Sequence, residues 1–331
     1  MEGIQIGNLG LGKAFTELQL WAKDLKRRGI VLCICSKNTD SIAREPFEKH
    51  PDMVLRLDDI SVFVANWENK ADNIRHIKEV LNIGYDSMVF LDDNPFERNL
   101  VRQELPQVTV PELPKDPAEY LGYIRTLNLF ETASYSGEDN KRTKRYQEEA
   151  KRLSTKKTFK SIDSYLENLQ MSADIGAFSD FSIPRIAQLT QRSNQFNLRT
   201  IRYTDEDIRR IRDDQNFITF QVSLNDKYGE YGLISVVIGE IRDGDLFLDT
   251  WIMSCRVLKR DVEKFVLNQI VERCKDKGIS KIIGERIPTP KNIIVKDHYS
   301  NLGFKEENGL WSLNLTTYQP LKCHIKKLEV V

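Results

Sequence analysis

The sequence predicts an α/β protein in two parts, and three observations predict it. From residue 13 to residue 127, helical apolar stripes alternate with short runs of strand-forming residues. Pro106, Pro111, Pro114 and Pro117 then punctuate the chain, and a strongly charged stretch follows. Beyond Ser161 helices and strands recur in a less regular order, as in an α+β domain. A chain of 331 residues is long for one core, so two domains are expected. The expected divisions are 1–130, a charged helical linker over 131–158, and 159–331.

The first part opens with "GNLGLG". Gly7, Gly10 and Gly12 have the wrong spacing for a phosphate loop and follow no strand, so a turn is expected. Phe15, Leu18, Trp21, Ala22 and Leu25 form a helical stripe over 13–28, closed by Gly29. "IVLCIC", residues 30–35, is too short for a helix after a glycine stop and reads as a buried strand ending at "SKN". A short helix over Ser41–Lys49 and a strand over Met53–Leu57 come next. Ile74, Ile77 and Leu81 share one helix face, with Gly84 as the stop. "SMVFL" is then a strand, "FERNLVRQEL" a helix, "VTVPEL" a last strand, and Ala118–Leu127 a short helix. Alternation at this spacing implies a parallel sheet with helices on both faces.

The segment "SGEDNKRTKRYQEEAKRLSTKK" has poor apolar periodicity and reads as an exposed helix bridging the domains. Its basic residues are either a solvated face or a place for an acidic partner to dock. In the second part, helices are expected over 161–169 and 183–191 and strands over 217–224, 232–240 and 246–253. A helix over 261–277 and a strand over 281–285 complete it.

Lys plus Arg equals Asp plus Glu, 49 each, which argues against a nucleic-acid binder held by a bulk basic surface. No apolar run reaches the roughly 18 residues of a membrane span, and "MEGIQIGNLGLGK" lacks a basic region followed by an apolar one, so no signal peptide is expected there. Five cysteines without a CxxC spacing argue against a disulfide framework or zinc site and fit a reducing cytoplasm.

The stretch "FLDDNPFER", residues 90–98, carries the chemistry. An apolar strand running into two adjacent carboxylates reads as a solvated turn or as a divalent-cation site. Ligands of parallel α/β sheets bind beyond the carboxyl ends of the strands, which places Ser36 near Asp92 and Asp93 and favours the site. Lys70 opens a helix, where the macrodipole disfavours a cation. A snorkelling surface lysine and a cation kept for phosphate are both open readings.

A Ser after one strand, a Lys opening a later helix and an acidic pair after a further strand resemble motifs II, III and IV of the haloacid dehalogenase superfamily. "CSKNTDSIAREPFEKHPDMVLRLDDISVFVANWENKADNI" and "FLDDNPFERNLVRQELPQVTVPELPKDPAEY" resemble its FkbH-like branch, and the likeness covers nearly the whole chain. It implies a HAD-type Rossmannoid domain in which Ser36 binds the transferring phosphoryl group, with Asn38 beside it as a substrate contact. Lys70 would neutralise an aspartyl-phosphate, and Asp92, assisted by Asp93, would bind Mg²⁺. The family's nucleophile lies in a D-x-D-x-T stretch on a first, central strand. That strand would precede "GIQIG", and no D-x-D-x-T occurs downstream. The expectation is a domain that has the metal end of the site without its nucleophile, and so is not a competent phosphatase. Two unpaired sheet edges would also remain, favouring dimerisation, strand exchange or poor stability.

FkbH-like enzymes take a glyceryl group from 1,3-bisphosphoglycerate, remove phosphate, and pass the acyl group to an acyl carrier protein as a thioester. Cys35, at the strand end beside Ser36 and Lys37, is the candidate thioester carrier, because a neighbouring cation lowers a thiol pKa. Cys33 and Cys35 as small core residues is the other reading.

"LDTWIMSCRVLKRDVEKFVLNQI" and "IPTPKNIIVKDHYSNLGF" resemble the GNAT acyltransferase fold, in which a loop and helix N-terminus bind coenzyme A or a pantetheine arm. Arg256 would open its R-x-x-G-x-G loop, but Lys259 and Asp261 stand where the two glycines should be. A carrier arm with one phosphate is then an easier ligand than coenzyme A. Asn292 would contact substrate, and Tyr299 could protonate a leaving thiolate or be a packed tyrosine. "QRSNQFNLRT" matches the FkbH-like wording too, so Asn194 and Asn197 are substrate contacts or members of a capping turn.

The combined expectation is a cytoplasmic FkbH-like protein that loads a three-carbon unit onto a phosphopantetheine-bearing carrier. The alternative is a non-catalytic or acyltransferase-only protein whose first half only binds a ligand.

Overall fold

The computed structural model describes residues 5–131, 142–156 and 158–328. The chain divides into two units, Met1–Thr158 and Phe159–Val331, each mixed α/β. No helix among the described residues is long and apolar enough to cross a membrane.

In the first unit α1 (Gly10–Arg27) starts earlier than expected. Gly10 and Gly12 lie inside it, and the turn contracts around Gly7, whose carbonyl accepts the Thr16 hydroxyl at 3.1 Å. β1 (Cys33–Lys37) leads to α2 (Asp40–Lys49). The strand expected over Met53–Leu57 does not form. The Val54 and Leu55 N–H groups both donate to Gln19 Oε1 at 3.0 Å, and a 3₁₀ turn follows at Leu57–Asp59. The strand falls instead at β2 (Val62–Asn66), parallel to β1 with Ser36 opposite Ala65.

α3 (Lys70–Leu81) is capped by Asn69, whose side chain accepts the Asp72 N–H at 2.8 Å. It ends at Asn82 in the left-handed region (φ 50°), two residues before the expected Gly84 stop, since asparagine also tolerates that conformation. Residues 88–91 and 108–113, both expected as strands, meet only in a parallel bridge between Val89 and Thr109. α4 (Pro95–Glu104) has Asn94 as N-cap and Pro95 in its first turn, and α5 (Tyr120–Thr126) follows. Among the described residues β1 forms a ladder with β2 alone, so the expected multi-stranded parallel sheet is reduced to these two pairings.

α6 (Arg142–Lys156) corrects the picture of an exposed bridge. Tyr146, Ala150 and Leu153 pack on the cluster of Val62, Ile77, Val80 and Leu81. Gln147 Nε2 donates to the Ile60 carbonyl at 2.8 Å, and Arg152 is only 2% exposed. Residues 136–141 and 157 of that charged segment lie outside the described residues.

The second unit runs α7 (Ile162–Leu169), β3 (Met171–Gly176), α8 (Ile183–Arg192), α9 (Asp205–Asp213), β4 (Phe217–Asp226), β5 (Gly229–Arg242) and β6 (Asp245–Met253). Then come α10 (Val262–Asp276), β7 (Lys281–Glu285), α11 (His298–Asn301), β8 (Lys305–Glu307), β9 (Leu310–Asn314) and β10 (Ile325–Lys327). Its sheet has the order β10-β3-β4-β5-β6-β7-β9-β8. One face packs α7 and α10 through Leu166, Leu169, Phe265 and Ile270. The other packs α8 and α9 through Ile183, Ile186, Ile208 and Ile211 against Val236, Ile238 and Ile252. With both faces covered, β6 is buried from Leu246 to Met253.

Gly284 of β7 lies against the Tyr299 ring: a Cβ there would sit 2.3 Å from Tyr299 Cζ. Tyr299 is itself wedged between His298 and Phe304, with ring centroids 5.4 and 5.0 Å away. Gly284→Ala should therefore destabilise the protein by about 1–3 kcal/mol, the usual cost of overpacking. Urea unfolding of the full chain measures this, and a midpoint equal to that of the parent chain would count against the contact.

Candidate active site

The carboxyl ends of β1 and β2, the loop after residues 88–91 and the first turns of α3 and α4 bring charged groups to one pole of the first unit. Lys70 forms an ion pair with Asp92, and both side chains are largely buried. A lysine in a helix's first turn costs about 0.3–1 kcal/mol against the macrodipole, and the facing carboxylate offsets this. The other Asp92 oxygen accepts the Asn94 N–H at 3.0 Å, which shapes the turn after the acid pair. Asp93 is exposed. Ser36 is half-buried at the end of β1, and the Asn38 side chain accepts the N–H of Thr39 at 2.8 Å in a local turn.

Two residues at this pole, Glu97 and Arg98, escaped the sequence reading. Lys37 Nζ bonds Glu97 Oε1 at 2.6 Å; Glu97 is 5% exposed, and its Oε2 has no hydrogen-bond partner. Arg98, 4% exposed, donates from one nitrogen to the Asp92 carbonyl at 2.8 Å and to that of Asp93 at 2.9 Å. Its other terminal nitrogen pairs with Glu112. The only available signal was "NPFER" itself, in which an apolar-looking helix start carries two charges that end up buried.

Cys35 departs from expectation. Burial pushes its thiol up to about 11; Lys70 lowers it, while Asp92 and Glu97 raise it. Its Sγ lies 3.7 Å from the Lys70 carbonyl oxygen, a weak contact that stabilises the thiol form. A cation-lowered thiolate is therefore not what this strand end holds. Cys33, deeper, is pushed up to about 12 by burial.

Mg²⁺ commonly binds one or two carboxylates and completes its shell with water and phosphate oxygens. Asp92 and Asp93 supply that number, and the unpartnered Glu97 Oε2 adds an acceptor at the same pole. Among the described residues no group of three His, Cys, Asp or Glu side chains is placed to hold a metal. The donor set fits a hard cation shared with a ligand rather than a closed protein cage.

In the second unit Arg256 lies in a 3₁₀ turn after β6, with Nε on Ser254 Oγ at 3.1 Å. Lys259 and Asp261 adopt φ of 61° and 60°, so the backbone keeps the left-handed form that the missing glycines would favour. The Asp261 carboxylate is held by Lys264 at 2.9 Å and His324 at 2.7 Å. Burial raises its pKa, but these two partners outweigh it and keep Asp261 below the usual carboxylate value.

Asn292 is fully buried, donating to the carbonyls of Asn197 (3.0 Å) and Ile287 (2.9 Å) and accepting the Thr289 N–H at 2.8 Å. Asn197 accepts the Thr200 N–H at 2.8 Å and donates to the Ser193 carbonyl at 3.2 Å. Asn194 pairs with Arg202. These amides are engaged in tying loops together. Tyr299 is 2% exposed, its hydroxyl has no partner, and burial pushes its pKa above the ordinary tyrosine value.

β6 pairs with β7 only over Leu246–Leu248. Beyond that point its edge takes the segment 196–199 instead. Asn197 bridges Ile252, the Met253 N–H donates to the Phe196 carbonyl at 3.2 Å, and the Ile287 N–H donates to the Leu198 carbonyl at 2.9 Å. Arg199 locks the segment, bonding Asp249 Oδ1 at 2.7 Å and Glu285 Oε2 at 2.8 Å. A cavity of about 540 Å³ elsewhere in this unit, lined in part by Arg212, Phe217, Arg273 and Lys327, contains none of the expected residues.

No family model matches the chain, and no curated protein matches it. Among solved structures it is similar to the N-terminal part of the protein BF1531 from Bacteroides fragilis, containing a phosphatase domain complexed with Mg. Identity is 70% over 40% of this chain and 36% of that one, with a TM-score of 0.40, so the chain spans about a third of that protein part. Weaker likenesses include the ribosomal-protein-S18-alanine N-acetyltransferase from Escherichia coli: 12% identity, 44% of this chain, 96% of that one, TM-score 0.35. An acetyltransferase of the GNAT family from Staphylococcus aureus shows 15% identity, 44% and 99% coverage and a TM-score of 0.33.

Two measurements check this geometry. Asp92→Ala strands the Lys70 ammonium in a mostly buried place and should destabilise the protein by about 3 kcal/mol, as breaking a buried pair does. An unchanged urea midpoint would mean the pair contributes nothing. With a thiol pKa of about 11, roughly one Cys35 in a thousand is thiolate at pH 8. Iodoacetamide followed by peptide mass mapping should therefore modify exposed Cys255 well before Cys35.

Proposed function

We propose that the protein is FkbH-like: a HAD-type pole that binds a phosphorylated three-carbon acyl donor with Mg²⁺, joined to a GNAT-like unit that serves an acyl carrier protein. The Lys70–Asp92 pair at the carboxyl ends of the parallel strands carries this reading. The sequence likeness to a Mg-bound phosphatase domain supports it. In this reading Asp92 and Asp93 take the cation, which neutralises phosphoryl charge when bound. Lys70 and the Ser36 hydroxyl face the phosphoryl oxygens, and Asn38 lies at the rim. In this reading Ser36, Lys70, Asp92 and Asp93 bind and orient the donor, and none of them has the role of the aspartyl nucleophile.

A second reading, in which the second unit binds a partner without transferring an acyl group, is favoured by one observation. The β6 edge beyond Leu248 is filled by residues 196–199, and Tyr299 is buried against Gly284. Intact-mass analysis after incubation with a phosphopantetheinylated carrier protein and a phosphoglyceryl donor separates the two. A glyceryl adduct on the carrier supports transfer, and its absence beside a stable complex supports the binding role.

Calorimetry tests the first unit directly. Inorganic phosphate should bind more tightly when Mg²⁺ is present, and Asp92→Asn should remove that dependence. Equal phosphate affinity in both proteins with and without Mg²⁺ would defeat the proposal.

A further inference from the structure

The pair of acids at residues 92 and 93 is held from behind by one side chain. Arg98 lies one turn into α4, buried, with a single terminal nitrogen bridging the carbonyl oxygens of both Asp92 and Asp93. Its Nε is buried without a partner, and its remaining nitrogen is anchored by Glu112, which Arg102 also holds at 2.7 Å. A buried guanidinium in such a place is costly unless its donors are used, and two of its contacts go to the peptide oxygens of the acid pair. Those contacts fix the direction of the peptide units from which both carboxylates project. The adjacent Glu97, through Lys37, ties the same first turn of α4 to the end of β1. Asp92 therefore meets Lys70 in a geometry set by a clamp that touches neither carboxylate.

We infer that Arg98 is the positioning residue of the cation-binding acid pair: it sets the Asp92–Asp93 backbone so that the two carboxylates present oxygens to one divalent cation. This rests on the reading of the pole as a Mg²⁺ site. Groups that orient metal ligands from outside the coordination shell typically change metal affinity by about 10–100-fold when removed. Arg98→Lys keeps the positive charge but, with a shorter reach and no planar fork, does not hold both carbonyls and Glu112 together.

The test measures Mn²⁺ affinity of the full chain by electron paramagnetic resonance and the rise in thermal midpoint produced by Mg²⁺. Arg98→Lys should weaken Mn²⁺ binding about tenfold or more and shrink the Mg²⁺-induced rise, because at a fixed concentration a bound ligand stabilises less the more weakly it binds. A purely structural arginine would lower the midpoint equally with and without Mg²⁺ and leave the affinity unchanged, which overturns the inference. Should Arg98→Lys not fold, as judged by circular dichroism, Glu112→Gln takes its place. Its exposed side chain anchors Arg98 and Arg102 and touches neither acid of the pair, so weaker Mn²⁺ binding is expected and unchanged binding overturns the inference. If the parent chain binds no Mn²⁺, the cation reading of the pole fails and this inference falls with it. Parent binding with unaltered variants overturns the role of Arg98 alone.

Discussion

A lysine at the positive end of a helix, buried against a strand, is tolerated only where a carboxylate meets it, and at Lys70 that carboxylate is Asp92. The pairing joins α3 to the loop that precedes α4, two segments separated by 21 intervening residues. Around it the first turn of α4 does the remaining fastening, with Glu97 on Lys37 and Arg98 on the peptide oxygens of the acid pair. Asp92, Glu97 and Arg98 are buried and Lys70 and Lys37 partly so, and each has an opposite charge or a carbonyl oxygen to face. The arrangement is therefore stiff, which a site for hard, doubly charged ligands requires.

The second unit is organised by a different constraint. β6 is central and buried, yet β7 accompanies it for three residue pairs only. The backbone groups left along its edge need partners, and residues 196–199 provide them, with Asn292 and Arg199 fastening the far side. The turn into α10 shows the same economy in reverse. Lys259 and Asp261 hold left-handed backbone that costs a non-glycine residue roughly 1–2 kcal/mol. Lys264 and His324 meet the Asp261 carboxylate, while a glycine would offer no group to hold the segment before β10 against the helix.

The sequence carried most helices of both units to within a few residues, because their apolar stripes repeat with helical period. Strands were harder. β2 was missed because Asp58, Asp59 and Ser61 interrupt its approach, while "MVLRL" looked like a strand and instead spends its N–H groups on Gln19. α6 looked solvated because its charges outnumber its apolar residues. Tyr146, Ala150 and Leu153 nonetheless make a partly buried stripe, and Arg152 is buried beside them. At the candidate site Ser36, Lys70 and Asp92 were visible as residue types following strands or opening a helix. Glu97, Arg98 and Arg199 were not, since a charged residue inside a helix or loop gives no local sign that it will be buried.

The sequence by itself determined most of the segments that form helices, α9 and α11 excepted, and that acids and a lysine gather where parallel strands end. These follow from periodicity, caps and chain order, all of them local. Only the tertiary structure decided that Cys35 is a partly buried thiol with a raised pKa, that Asn197 and Asn292 tie loops together, and that Tyr299 is packed behind Gly284. Desolvation and the partners of a polar group depend on neighbours distant in the chain, and no local pattern encodes them.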